Sequence, residues 1–152
     1  MTLANLLAIQ RLRAFSATPQ GAQRLLQAAL RNLTDVKLAQ LSAENRFDAA
    51  YKCIMQCAIL GLWAHGYRTS TSQPGHHQTA LQALPLTMGL PNDVIIVLDA
   101  LRKQRNLSDY EGDPVSDAVV TECITEADAL LAHTRQWRQT QFPGLLAKPK
   151  NL

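Results

Sequence analysis

The sequence predicts an all-α fold, an antiparallel bundle of about five main helices. Three observations carry this reading. Apolar residues recur at the three-and-four spacing of a helix face along most of the chain. Ser, Thr, Pro and Gly stand where helices need starts and stops. Aromatic residues make up only 5% of the 152 residues, while Ala, Leu and Gln are frequent, a mixture that favours helices packed through aliphatic side chains. No stretch alternates in the manner of a strand, apart from an ambiguous run at 94–98.

A first helix is predicted over about 2–16. Thr18 caps a second, with Pro19 at its first position, running to about 32; the interruption at 17–20 reads either as a break or as a kink. Ser42 caps a long helix over about 43–65, whose residues Phe47, Ala50, Tyr51, Ile54, Ala58 and Leu62 form a buried stripe. Gly66 ends it as a C-terminal glycine. Residues 67–75, YRTSTSQPG, read as a polar loop. A shorter helix over about 76–88 is bent or divided by Pro85. Pro91 starts the next, which runs to about 109, and Gly112 and Pro114 mark the turn after it. The last helix is predicted over about 114–138.

Length fits one domain over 1–152, able to bury roughly 70% of the surface of its unfolded chain. N-terminal helices occupy about 1–41, the bundle core about 42–138, and a loosely held tail about 139–152. Hydrophobic content of 47% and charged content of 18% exclude a disordered chain. The net charge of +3 permits a nucleic-acid partner without requiring one, so the distribution of charge has to decide.

Cys53, Cys57 and Cys123 are too few for a disulfide framework. Cys53 and Cys57 share a helix face and read as small buried apolar residues, and a structural zinc site needs a closer pair with two further ligands. The opening MTLANLLAIQRLRAF has neither the apolar stretch nor the cleavage site of a secretory leader. No stretch approaches the ~20 apolar residues of a membrane span. These features predict a cytoplasmic protein with reduced thiols, no membrane partner, no metal and no cofactor. Glycine-rich phosphate loops, the Gly-x-Ser-x-Gly elbow and paired catalytic carboxylates are lacking.

Charge concentrates near the end of the 91–109 helix, in Arg102-Lys103-Gln104-Arg105. Val94, Leu98 and Leu101 define the apolar stripe of that helix, and its continuation reaches Arg105 and then Ser108. An arginine therefore stands where a core residue is expected. One account is local: cations near a helix C-terminus favour its dipole, and Arg105 pairs with Asp109 one turn on. The other is that Arg105 faces a cleft or a second copy of the chain.

RNLSDY at 105–110 resembles the signature of HEPN domains, in which an arginine and a polar residue precede a short spacer and a histidine. The surroundings are similar as well: NRFDAAYKCIMQCAILGLWAHGYR on a long helix, then PGHHQTALQAL, then LDALRKQRNLSDYEGDPVSDAV. Over residues 42–135 the chain resembles HEPN proteins of prokaryotic toxin–antitoxin and defence loci, including those paired with minimal nucleotidyltransferases. That resemblance implies a homodimer in which two motifs meet in one cleft, acting on RNA as a metal-independent endoribonuclease, with a nucleotidyltransferase-type antitoxin as a further partner. In such a site the arginine holds the phosphate charge and the histidine moves a proton at the ribose 2′-hydroxyl.

Arg105 and Asn106 match the motif, but Tyr110 occupies the histidine position. A phenol of pKa about 10 is a poor general base at neutral pH, though able to donate a hydrogen bond or act as an acid. In an up-down bundle the helix from 43 ends where the helix from 76 begins, and the helix from 91 ends at the same face. His76, His77, Arg68, Arg102, Arg105 and Tyr110 are thus expected at one end of the molecule. His76 or His77 then takes the place of the missing histidine, and Arg68 and Arg102 join Arg105 as phosphate ligands. Adjacent residues on a helix point about 100° apart, so at most one histidine is expected to face the cleft. The bland alternative has one histidine starting its helix and the other simply exposed.

The resemblance also implies a second function: in HEPN proteins paired with nucleotidyltransferases a tyrosine next to the motif is a target of nucleotide transfer, which would make Tyr110 such a target in a non-catalytic nucleotide-, RNA- or partner-binding accessory subunit. Packing of Tyr110 against Tyr67 or the turn at 111–114 is the structural alternative. His65 reads as a carbonyl or dipole contact at its helix end, Trp63 and Trp137 as packing anchors, and Lys148 and Lys150 as solvated.

Overall fold

The computed structural model describes residues 1–141, so the expectations for the tail from 142 on, Lys148 and Lys150 included, lie outside the described residues. The chain opens with α1 (Leu3–Ala8), closed at its start by a capping box between Thr2 and Asn5. The first helix is therefore much shorter than the sequence suggests. Gln10 adopts a left-handed conformation, with φ of 65°, and the chain then extends as β1 (Leu12–Ala14).

β1 pairs antiparallel with β2 (Tyr67–Thr69), in the register Leu12↔Thr69, Arg13↔Arg68 and Ala14↔Tyr67. The segment that reads as a polar loop thus contributes a strand. Leu12 is the inward residue of β1, buried between the exposed Arg11 and Arg13. A single buried residue between two arginines supports no helical stripe, and backbone supplied from 55 positions further on overrides the local preference.

The other elements follow their local signals. α2 (Pro19–Asp35) starts at Thr18, whose hydroxyl accepts a hydrogen bond from the Gly21 amide at 2.9 Å. α3 (Ala43–Ala64) starts at Ser42, whose Oγ accepts from the Asn45 amide at 3.1 Å. Removing that cap in Ser42→Ala is expected to lower stability by about 1 kcal/mol, read as a shifted urea midpoint at constant slope. Gly66 follows α3 with φ of 88°, the left-handed conformation that a C-terminal glycine provides.

The predicted 76–88 helix is divided into α4 (His76–Gln82) and α5 (Leu84–Met88), with Pro85 in the first turn of the second piece. α6 (Asn92–Glu111) includes the ambiguous 94–98 run, which is helical. α7 (Asp117–Gln141) extends three residues into the stretch assigned to the tail.

α3 is the centre of the bundle. Its predicted stripe residues Phe47, Tyr51, Ile54, Ala58 and Leu62 are each 2% exposed or less. α2 runs antiparallel to α3, with Asn32 hydrogen-bonded to Gln56 and Arg46 to the Val36 carbonyl. α6 also runs antiparallel to it: the Glu44 carboxylate accepts from the Val115 amide just beyond α6, and Arg105 lies over Tyr51. α7, reached after a further reversal, runs beside α3 in the same direction, since Cys123 meets Phe47, Cys53 meets Ala127 and Trp137 meets His65. α4 and α5 follow α3 from Tyr51 to Gly61. At Gly61 a Cβ would lie 2.9 Å from Thr87 Oγ1, so glycine lets α5 approach the backbone of α3.

All three cysteines are free and buried. Contact with Cys57 and then burial push the Cys53 thiol up, and burial pushes that of Cys123 up to about 12. All three pack as small apolar residues. Among the described residues, no helix is long and apolar enough to cross a membrane, and no group of three or more His, Cys, Asp or Glu side chains is placed to hold a metal ion.

Candidate functional site

Leu98 and Leu101 bury the stripe of α6 in the core, and its continuation brings Arg105 over the ring of Tyr51, 5.6 Å from guanidinium carbon to ring centroid. The core stripe of α6 thus ends in a cation resting on an aromatic face. Opposite it, Gly75 turns the chain into α4 through a left-handed conformation. The first residues of α4 and the second half of α6 enclose a cleft of about 390 Å³, lined by Gly75, His76, His77, Gln78, Arg102, Arg105, Asn106 and Tyr110. No carboxylate belongs to that lining.

The two arginines are held from behind by their own helix. Arg102 donates from Nε to Asp99 at 2.8 Å, and this hydrogen bond keeps the Asp99 carboxyl below the usual carboxylate range. Arg105 Nε lies 2.9 Å from Asp109 Oδ2, but the oxygen is off the N–H direction, so the Nε hydrogen bond is not made. The contact is ionic rather than a directed hydrogen bond. Both arginines line the cleft, and among the described residues their Nη groups make no hydrogen bond.

His77 is half-buried, and its Nδ1 lies 3.2 Å from the Tyr51 hydroxyl. Burial lowers its pKa from 6.5 to about 4, with further lowering from His76, Arg105 and Arg102. Between those two pH values the unfolded chain binds a proton that the folded chain refuses. The contribution to stability is complete above pH 6.5 and is lost as pH falls through the window. His77→Gln is therefore expected to lose less stability than the wild type between pH 7 and pH 4.5 in urea unfolding. Equal losses would contradict this account.

The structure gathers five of the expected residues, His76, His77, Arg102, Arg105 and Tyr110, together with Asn106, and leaves out one. Arg68 is exposed on β2 with its guanidinium 5.4 Å from the centroid of Phe15. The reason is topological. α3 ends at the opposite end of the bundle from the cleft, and residues 66–75 carry the chain back to Tyr51 before α4 begins. The cleft therefore adjoins the first half of α3 rather than its C-terminal end.

Both histidines line the cleft, with ring centroids 4.7 Å apart and edge to face, although the helix angle led us to expect one. They occupy the opening of α4, where successive residues from Gly75 to Gln78 all border the cavity. Tyr110 is 78% exposed at the rim and does not pack as a helix plug. Tyr51 is the site residue that sequence reasoning missed. Its place in an apolar stripe hid it, and the available signal was its hydroxyl, which needs a partner when buried.

His65 makes the expected carbonyl contact, but to Thr87 at the end of α5 rather than to its own helix. Trp63 packs on Phe15 with centroids 5.0 Å apart, and Trp137 stacks on His65. No protein-family model matches the chain and no curated protein sequence does, so the functional reading rests on the cleft.

Proposed function

We propose that this chain is a HEPN-like RNA-associated protein of the prokaryotic toxin–antitoxin or defence type, acting as a homodimer and cleaving RNA without a metal. The observation that carries this reading is the cleft lining: two arginines, two imidazoles, two amides and a phenol, with no carboxylate. Such a donor-rich surface suits a phosphodiester.

In the reaction, the ribose 2′-oxygen attacks the adjacent phosphorus and the bond from phosphorus to the 5′-oxygen breaks. The products are a 2′,3′-cyclic phosphate and a 5′-hydroxyl. One proton leaves the 2′-hydroxyl, one reaches the departing oxygen, and no co-reactant is consumed. Arg105 and Arg102 offset the charge that builds on the phosphoryl oxygens.

An exposed face of α6 supports the homodimer. Ile96, Lys103, Leu107 and Tyr110 fall on one side of that helix at separations of seven, four and three, and Ile96 is 70% exposed. Tyr110 belongs both to this face and to the cleft lining, so an isologous contact here would bring the two clefts near each other. Free, buried cysteines suit a reducing cytoplasm.

The test is incubation of the purified protein with RNA in chelator, followed by end analysis and sedimentation. Products ending in 2′,3′-cyclic phosphate from a dimer support the reading; a clean preparation that binds RNA but never cuts it removes the enzymatic part. The exposure of Tyr110 favours a second reading, a non-catalytic accessory subunit whose Tyr110 receives a nucleotide from a nucleotidyltransferase partner. Reconstitution with such an enzyme and mass measurement of Tyr110 tests it, and no added nucleotide mass counts against it.

A further inference from the structure

Tyr51 lies at the floor of the cleft, 2% exposed, and two residues of the lining rest on it. Arg105 stacks over its ring. Its hydroxyl has one hydrogen-bond partner among the described residues, Nδ1 of His77. Burial raises the Tyr51 pKa to about 12, so the phenol keeps its proton. A buried O–H has to donate to something.

Two arrangements are open to this pair. If His77 carries its proton on Nδ1 and donates to the phenol oxygen, the phenolic O–H is left without an acceptor in a buried position, which folded proteins avoid. If the phenol donates to Nδ1, both buried atoms of the contact, the phenolic O–H and Nδ1, are satisfied. The ring proton then sits on Nε2, the nitrogen left for the cleft that His77 lines. The nearby cationic groups, Arg102 and Arg105, and the neighbouring His76 work against a second proton on the ring.

We infer that Tyr51 is a positioning residue that locks His77 as the neutral Nε2–H tautomer, so that His77 acts in the cleft as a hydrogen-bond donor to a phosphate oxygen and not as a general base. The inference rests on the reading of the cleft as a phosphate site. It divides the histidine pair by role. His77 joins Arg102 and Arg105 as a third donor, and the exposed His76 is the imidazole left to exchange a proton with a ribose hydroxyl. The ligand class follows from the donors: a phosphate group, free or at the 3′ end of a nucleotide, since each polar group assigned to hold it is a donor.

Long-range proton–nitrogen NMR of protein labelled at histidine nitrogens tests this directly, with His77 assigned through His77→Gln. The free wild-type protein at neutral pH is expected to show the Nε2–H pattern. Tyr51→Phe, which keeps the ring under Arg105, is expected to show a mixture of tautomers. An Nδ1–H pattern in the wild type, or no change in Tyr51→Phe, would overturn the inference.

Titration with inorganic phosphate and, separately, with uridine 3′-monophosphate is expected to shift the His77 Nε2–H signal. A response to both assigns the phosphate alone, and a response only to the nucleotide shows that the nucleoside is needed. His77→Ala is expected to weaken nucleotide binding on the order of tenfold, with much of the loss restored in His77→Gln, which keeps an N–H donor. Silence of Nε2 toward both probes would overturn the donor role. A protein that binds these probes through His77 yet neither binds nor cuts RNA would instead sink the RNA reading and leave this inference standing.

Discussion

Arg105→Ala is expected to slow metal-free RNA cleavage by about 10²–10³-fold under single-turnover conditions, the effect of removing one charge-stabilising donor from a preorganised site. Folding is expected to survive the change. The substitution removes an ion pair with Asp109, whose side chain is 38% exposed, and a cation from the ring of Tyr51, contacts worth about 1 kcal/mol or less apiece. Circular dichroism and urea unfolding check that point. Arg105→Lys keeps the charge but not the planar fork, and is expected to recover only a small part of the rate. Cleavage at the wild-type rate by folded Arg105→Ala would remove Arg105 from the mechanism.

Phe47→Ala is expected to produce the largest loss of stability, about 3–5 kcal/mol. Phe47 is 1% exposed in α3, and its carbonyl faces the Cys123 thiol of α7 at 3.9 Å. Its ring is part of the main buried cluster of the bundle, where close packing leaves a cavity little freedom to collapse. For a domain with total stability of about 5–15 kcal/mol, this approaches the unfolding threshold. The melting temperature is expected to fall on the order of 10 °C. Phe47→Leu, which leaves less empty volume, loses less. A change below about 1 kcal/mol in Phe47→Ala would show that the ring is not a packing element of the core.

Much of the fold was legible because helix signals are local. Thr18 with Pro19, Ser42 with Gly66, and Pro85 each acts within a few residues of itself, and α2, α3 and the α4–α5 division follow them. The failure at residues 9–16 has the same origin. Nothing within reach of Leu12 announces a strand; its partner backbone arrives from Tyr67–Thr69. The candidate site was legible in part. Arg105 interrupts an apolar stripe and so advertises itself, whereas Tyr51 is apolar enough to pass as core, and only its hydroxyl marks it.

What the sequence by itself determined was the helices from α2 onward, their buried faces and the arginine that ends the stripe of α6. These depend on cap chemistry and on the 3.6-residue period, both contained within single elements. What only the tertiary structure decided was which ends meet. The ten-residue return from 66 to 75 sets His77 against Tyr51, separated by 26 positions in the chain, and leaves Arg68 at the other end over Phe15. The path of a loop depends on what its flanking elements bury, and that is a property of the whole packed core rather than of any window of sequence.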